Sequence, residues 1–179
     1  PGVCQPSVAV RSAGGLHTQP HVHSGMLSAE VPRHHTNLVA QAVMTLEDSR
    51  LIVKLHPKET LEDYVFLSQY GPRVTVRKDE DLVTLIEACD VFVSQFSTTI
   101  LLAMAWGKPL VTFNFTGTQG GNIFKELGGT VHVTEAEQLP RALRMVWHDV
   151  QVQRRLREEQ QGVVARYLRF DGRATERLL

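Results

Sequence analysis

Along this chain, short apolar runs rich in β-branched residues alternate with amphipathic segments. The runs fall at residues 15–18, 51–55 (LIVKL), 73–77 (RVTVR), 90–94 (DVFVS), 109–114 (PLVTFN) and 130–133 (TVHV), each bounded by turn-forming residues. LIVKL, DVFVS and PLVTFN are almost continuously apolar, as strands covered on both faces must be. Between them, residues 32–46 place Leu38, Val39, Ala42, Val43 and Leu46 at spacings of three and four, the period of a helix face. Residues 80–89 repeat the pattern, with Asp79 or Glu80 serving the amino-terminal end. Residues 97–106 are apolar all round and predict a buried helix, stopped by Gly107 and Pro109. Two more helical patterns, 135–147 and 150–170, finish the chain, the second with a charged, solvated face around QRRLREEQQ.

Strand–helix alternation of this kind predicts an α/β fold: a single Rossmann-like, doubly wound parallel sheet of about six strands with helices on both faces. Residues 1–13 resemble a linker or the start of a fragment, and residues 14–179 form the domain. Composition narrows the partners. With 19 basic and 19 acidic residues, the formal net charge is zero, which favours neither nucleic acid nor an anionic membrane surface. No apolar run reaches the ~18 residues of a transmembrane helix. Cys4 and Cys89 form no CxxC pair, and Cys89, closing LIEAC, reads as a small core residue.

Ligands of such sheets bind beyond the carboxyl ends of the strands, so the segments after each run carry the candidate chemistry. Ser97-Thr98-Thr99 follows DVFVS and opens the apolar helix. It reads either as a plain Ser cap with two tolerated threonines or as a phosphate cradle, built from hydroxyls and first-turn N–H groups aimed outward. LIVKL runs into His56-Pro57, where proline ends the ladder and fixes the histidine at the sheet edge. His56 is either a hydrogen-bonded turn residue or a group that donates to, or protonates, a phosphate; Lys58 beside it adds charge. The loop after PLVTFN, with Thr116, Gly117, Gly120 and Gly121, is either simply flexible or able to close its N–H groups around an anion or a sugar. Around residues 16–23, Thr18 and Gln19 are further loop candidates. The five histidines between residues 17 and 35 do not form a metal site, because no Cys or Asp completes a tetrahedral set. No Gly-x-Gly-x-x-Gly, Walker or Gly-x-Ser-x-Gly motif occurs.

Taken in order, these residues resemble the carboxyl-terminal, donor-binding domain of GT-B glycosyltransferases. ACDVFVSQFSTTILLAMAWGKPLVTFN is similar to that family's strand, Ser-Thr, helix, Gly-Lys-Pro, strand region. KLHPKE resembles the His-Pro motif of sialyltransferases, capsular polysaccharide transferases and CDP-glycerol polymerases, and FDGRATERLL resembles the tail of capsule-type members. The resemblance implies a nucleotide-sugar donor with a tilt toward pyrimidine nucleotides, no cofactor and no metal. It implies phosphate contacts from His56, Ser97 and Thr98, with Thr99 beside them. It also implies an acceptor domain lying outside this chain, without which the chain does not turn over. A polysaccharide-building enzyme of this kind is expected in the cytoplasm, at the inner membrane face through its other domains. Leu102 stands where many relatives carry a ribose-binding Glu. That departure keeps open a domain that has the fold without catalysis, and a non-hydrolysing UDP-sugar 2-epimerase shares the same domain shape.

Overall fold

The computed structural model describes residues 7–12, 30–117 and 123–168. Six strands form one sheet: β1 (Ser7–Ser12), β2 (Ser49–Lys54), β3 (Val74–Arg77), β4 (Val91–Ser94), β5 (Leu110–Phe113) and β6 (Val131–Val133), in the order β3-β2-β1-β4-β5-β6. Among the described residues six α-helices accompany them: α1 (Glu30–Met44), α2 (Leu82–Ala88), α3 (Thr99–Ala105), α4 (Ile123–Leu127), α5 (Leu139–His148) and α6 (Val150–Tyr167).

The near-continuous apolar strands divide their side chains between two cores. Leu51 and Val53, Val91 and Val93, and Val111 and Phe113 face one core with α1 and α5 residues such as Val39, Val43, Leu143 and Val146. Ile52 and Phe92, which lie between the first two pairs, and Leu110, which precedes Val111, face the other core with Ile86, Ile100, Met104 and Val163 of α2, α3 and α6. That is period-two alternation with an apolar residue on both sides, the reason these strands show no polar face. Cys89 belongs to the second core, and burial pushes its thiol up to about 12.

The sheet departs from the sequence reading at its centre. β1 runs antiparallel to both its neighbours, Ser7 pairing with Lys54 of β2 and Val8 with Val93 of β4. The sheet is therefore mixed, with β2–β3 and β4–β5–β6 as two parallel groups. The segment read as a linker supplies this strand: alternating SVAVRS satisfies the backbone of two neighbours, which a linker does not. The strand expected at 15–18, like the tail at 170–179, lies outside the described residues.

Sequence periodicity also missed the crossover from β2 to β3, a 3₁₀ segment at Glu62–Arg73 broken at Gly71 (φ 61°) before Pro72. Its apolar spacing follows neither helix nor strand. At α2 the cap is Asp81, whose carboxylate accepts the Thr84 N–H at 2.8 Å, not Asp79 or Glu80. α3 ends as expected: Gly107 (φ 62°) donates to the Met104 carbonyl and Lys108 N–H to that of Ala103, a Schellman stop. Among the described residues no helix is long and apolar enough to cross a membrane.

Candidate functional site

Because β1 is antiparallel to both β2 and β4, those two strands point the same way, and the carboxyl ends of β2, β4 and β5 share one edge of the sheet. Residues His56, Ser97 and Thr116 leave from that edge. β2 and β4 are separated by β1, whose amino end reaches this edge, so the turns that follow them stand two strand spacings, ~10 Å, apart.

On the β2 side the His-Pro turn is locked by a carboxylate. Glu59 Oε2 accepts the His56 N–H at 2.7 Å, the Glu59 N–H returns to the His56 carbonyl at 2.9 Å, and Tyr64 Oη donates to Glu59 Oε1 at 2.5 Å. Burial raises the Glu59 carboxyl above its ordinary range, against the opposing pull of the Tyr64 and His56 hydrogen bonds. Inside this turn the Lys58 N–H donates to His56 Nδ1 at 3.2 Å. A neutral imidazole with an accepting Nδ1 carries its proton on Nε2, which is thus a donor. Burial first, then the nearby Lys58 and Lys54 charges, hold the His56 pKa below the usual histidine value. Lys58 itself is exposed. Glu59 and Tyr64 were not singled out from the sequence; the signal was Glu three residues after the His of LHPKE, the span of a single turn.

On the β4 side the hydroxyl triplet is organised differently from the expectation. Ser97 Oγ accepts both the Thr99 N–H at 3.2 Å and the Thr99 hydroxyl at 2.9 Å. The Ile100 N–H goes to the Ser97 carbonyl and the Leu101 N–H to that of Thr98, both at 3.1 Å. The first-turn N–H groups expected to aim outward are thus used within the turn, and α3 is only seven residues long. What remains for an anion is side-chain chemistry. Ser97 Oγ accepts two hydrogen bonds and keeps its own proton to donate, beside the exposed Thr98. Leu102 is half-buried against the second core.

Behind the turn, His35 of α1 bonds Gln95 Oε1 through Nδ1 at 3.0 Å and sets its ring edge-on to Phe113 and Phe115. Burial lowers its pKa. Gln95 is buried with its Nε2 unpaired, and so is the Ser94 hydroxyl. His35 appeared in the sequence only as one of a histidine cluster; nothing local marked its contact with a residue sixty positions on. On the β5 side, Thr116 donates to Asn114 Oδ1 at 3.1 Å, and Gly117 is exposed with φ 66°. Thr18, Gln19, Gly120 and Gly121 lie outside the described residues. Among the described residues no group of three His, Cys, Asp or Glu side chains is placed to hold a metal ion.

No protein-family model and no curated protein matches this sequence. Solved structures do. Anabaena Alr3699/HepE in complex with UDP-glucose superposes with a TM-score of 0.59 at 19% identity, over 75% of this chain and 41% of that one. The spinosyn forosaminyltransferase SpnP gives 0.54 at 16%, over 81% and 40%. A Listeria monocytogenes protein described as a putative UDP-N-acetylglucosamine 2-epimerase gives 0.51 at 13%, over 72% and 38%. The chain has the Rossmann-like fold of GT-B glycosyltransferases. At these identities the likeness is one of fold, and this chain spans about two fifths of each matched structure.

Proposed function

We propose that this chain is the donor-binding half of a glycosyltransferase that moves a sugar from a nucleotide-sugar to a glycan or polysaccharide acceptor. The observation that carries the reading is the proton placement at His56: a rigid turn leaves Nε2–H as a donor, and two strand spacings away Ser97 Oγ accepts twice and keeps its own proton to donate. A diphosphate ester is an acceptor-rich anion that takes charge-assisted hydrogen bonds from donors such as these. The HepE structure, a complex with UDP-glucose, lends the reading its ligand class.

In this reaction the bond from the sugar carbon to the leaving phosphate breaks as the acceptor oxygen attacks. Negative charge grows on that phosphate. His56 donates to it from Nε2, and the Ser97 and Thr98 hydroxyls add further donors. Thr99 acts behind them by holding Ser97. Lys58 adds long-range attraction, and the loop from Thr116 and Gly117 borders the sugar side. The donor is a substrate and the reading invokes no metal or cofactor. A pyrimidine nucleotide, a capsule-type acceptor and a cytoplasmic setting follow from the His-Pro resemblance, and the acceptor and its base belong to a further domain.

UDP-glucose, UDP, CDP and CMP, each tested by thermal shift on the 179-residue chain, decide the matter. A ligand at 100 times its dissociation constant adds ~2.7 kcal/mol of stability. The shift should vanish in Ser97→Ala and His56→Ala, and its absence with every nucleotide in the unmodified chain overturns the proposal. One observation favours a second reading, a domain that keeps the fold without catalysis. Leu102 rests on the core and offers no carboxylate to a ribose. Nucleotide binding without transfer in the full-length protein would support it.

A further inference from the structure

The chain contains two tryptophans, Trp106 and Trp147, and both line one cavity of about 660 Å³. That volume is within the range of small-ligand sites. The cavity lies at the amino ends of β4 and β5, beside Asp90 and Pro109, so it opens on the edge of the sheet opposite His56 and Ser97. Gln153 and Arg157 of α6 form its far wall.

The lining is prepared in a particular way. Trp106 is 37% exposed, yet its indole N–H is held by Glu87 Oε1 at 3.0 Å, which fixes the ring and leaves its face open. Lys108 is committed: its ammonium donates to the carbonyls of Glu87 at 2.7 Å and Cys89 at 3.1 Å. Gln153 Nε2 donates to the Val146 and Trp147 carbonyls, which leaves its Oε1 as an acceptor. Arg157 is exposed and makes no hydrogen bond or ion pair with the described residues.

We propose that this cavity is a second carbohydrate site, which holds an oligosaccharide away from the reacting centre. Sugar rings present flat C–H faces that stack on indole and hydroxyl edges that take hydrogen bonds from a guanidinium and give them to an amide oxygen. Two tryptophans, an uncommitted Arg157 and the Gln153 acceptor supply both. The charge balance selects against a phosphate ligand: one free cation stands near the Asp90 carboxylate, and the other cation is tied to backbone carbonyls. The lining is too polar for an apolar helix. The inference stands on this cavity alone and does not need the donor site to be correct.

Because both tryptophans border the cavity, intrinsic fluorescence reads it directly. Titration of the 179-residue chain with maltohexaose, cellohexaose and chitohexaose should give saturable quenching with at least one of them. Arg157→Ala, on an exposed helix face, should weaken that binding ~10-fold, as loss of a charge-assisted hydrogen bond does. Trp147→Ala should abolish it with Trp106 still reporting, and Ser97→Ala should leave it unchanged. No response to any of the three at ~10 mM, ample for a millimolar site, overturns the proposal. So does binding that survives Arg157→Ala, or that is lost in Ser97→Ala. The nucleotide thermal shift is a separate readout, so failure here leaves the donor reading standing and failure there leaves this one standing.

Discussion

A neutral imidazole carries one ring proton, and at His56 the Lys58 N–H decides which nitrogen holds it. A bound phosphodiester favours the imidazolium, opposing the burial and lysine charges that lower the pKa in the free chain. Binding of UDP-glucose, which has no phosphate titrating near neutrality, should therefore take up a proton. Its affinity should rise as pH falls through the raised pKa of the complex and level off below the depressed pKa of the free chain. Calorimetry in buffers of different ionisation enthalpy measures that proton, and His56→Asn should flatten the profile. Buried His35 and half-buried His132 affect folding instead. Burial lowers both pKa values, so the unfolded chain binds protons more readily than the folded one. The stability tied to their neutral forms is present above the unfolded value near 6.5 and is lost as pH falls through the folded values. Urea midpoints should drop between pH 7 and 5, and less steeply in His132→Gln. From LHPKE the sequence disclosed where His56 sits, since proline must end the strand. It could not disclose the tautomer, which depends on a turn closed by Glu59 and Tyr64.

Helix α6 is held to the sheet by polar clamps as well as by its apolar stripe. Gln160 Nε2 donates to the carbonyls of Lys108 at 2.9 Å and Gly129 at 2.8 Å, while Glu159 Oε2 accepts the Gly129 N–H at 2.8 Å. Gly129 has φ 72°, and a Cβ there would stand 2.8 Å from Gln160 Cγ and 3.2 Å from the Gln160 backbone nitrogen. Gly129→Ala therefore adds left-handed strain to a collision with backbone, and it should cost ~1–3 kcal/mol in denaturant unfolding. Asp81→Ala, which removes the α2 cap, should cost ~1 kcal/mol by the same measurement. At this scale periodicity served well where a stripe faces a core, as in α1, α2 and α6. It failed for Glu62–Arg73, where the backbone turns at Gly71 and no regular spacing exists to be read. It also placed α3 two residues early, because Ser97 and Thr98 precede the helix and hold its first turn from outside.

At the scale of the whole molecule, strand alternation was enough to indicate a two-faced α/β sheet, since only side chains buried on both faces explain LIVKL and DVFVS. Strand direction was not legible. An alternating run such as SVAVRS pairs equally well either way, and only contact with β2 and β4 sets its sense. Among the described residues, the same order of strands puts β3 and β6 at the two margins, four and three residues long. Margins that short present few unpaired amides to another chain. Fibril growth by lateral strand addition should therefore find almost no template here: light scattering should stay flat as the folded chain is concentrated, and rise only under conditions that open the sheet.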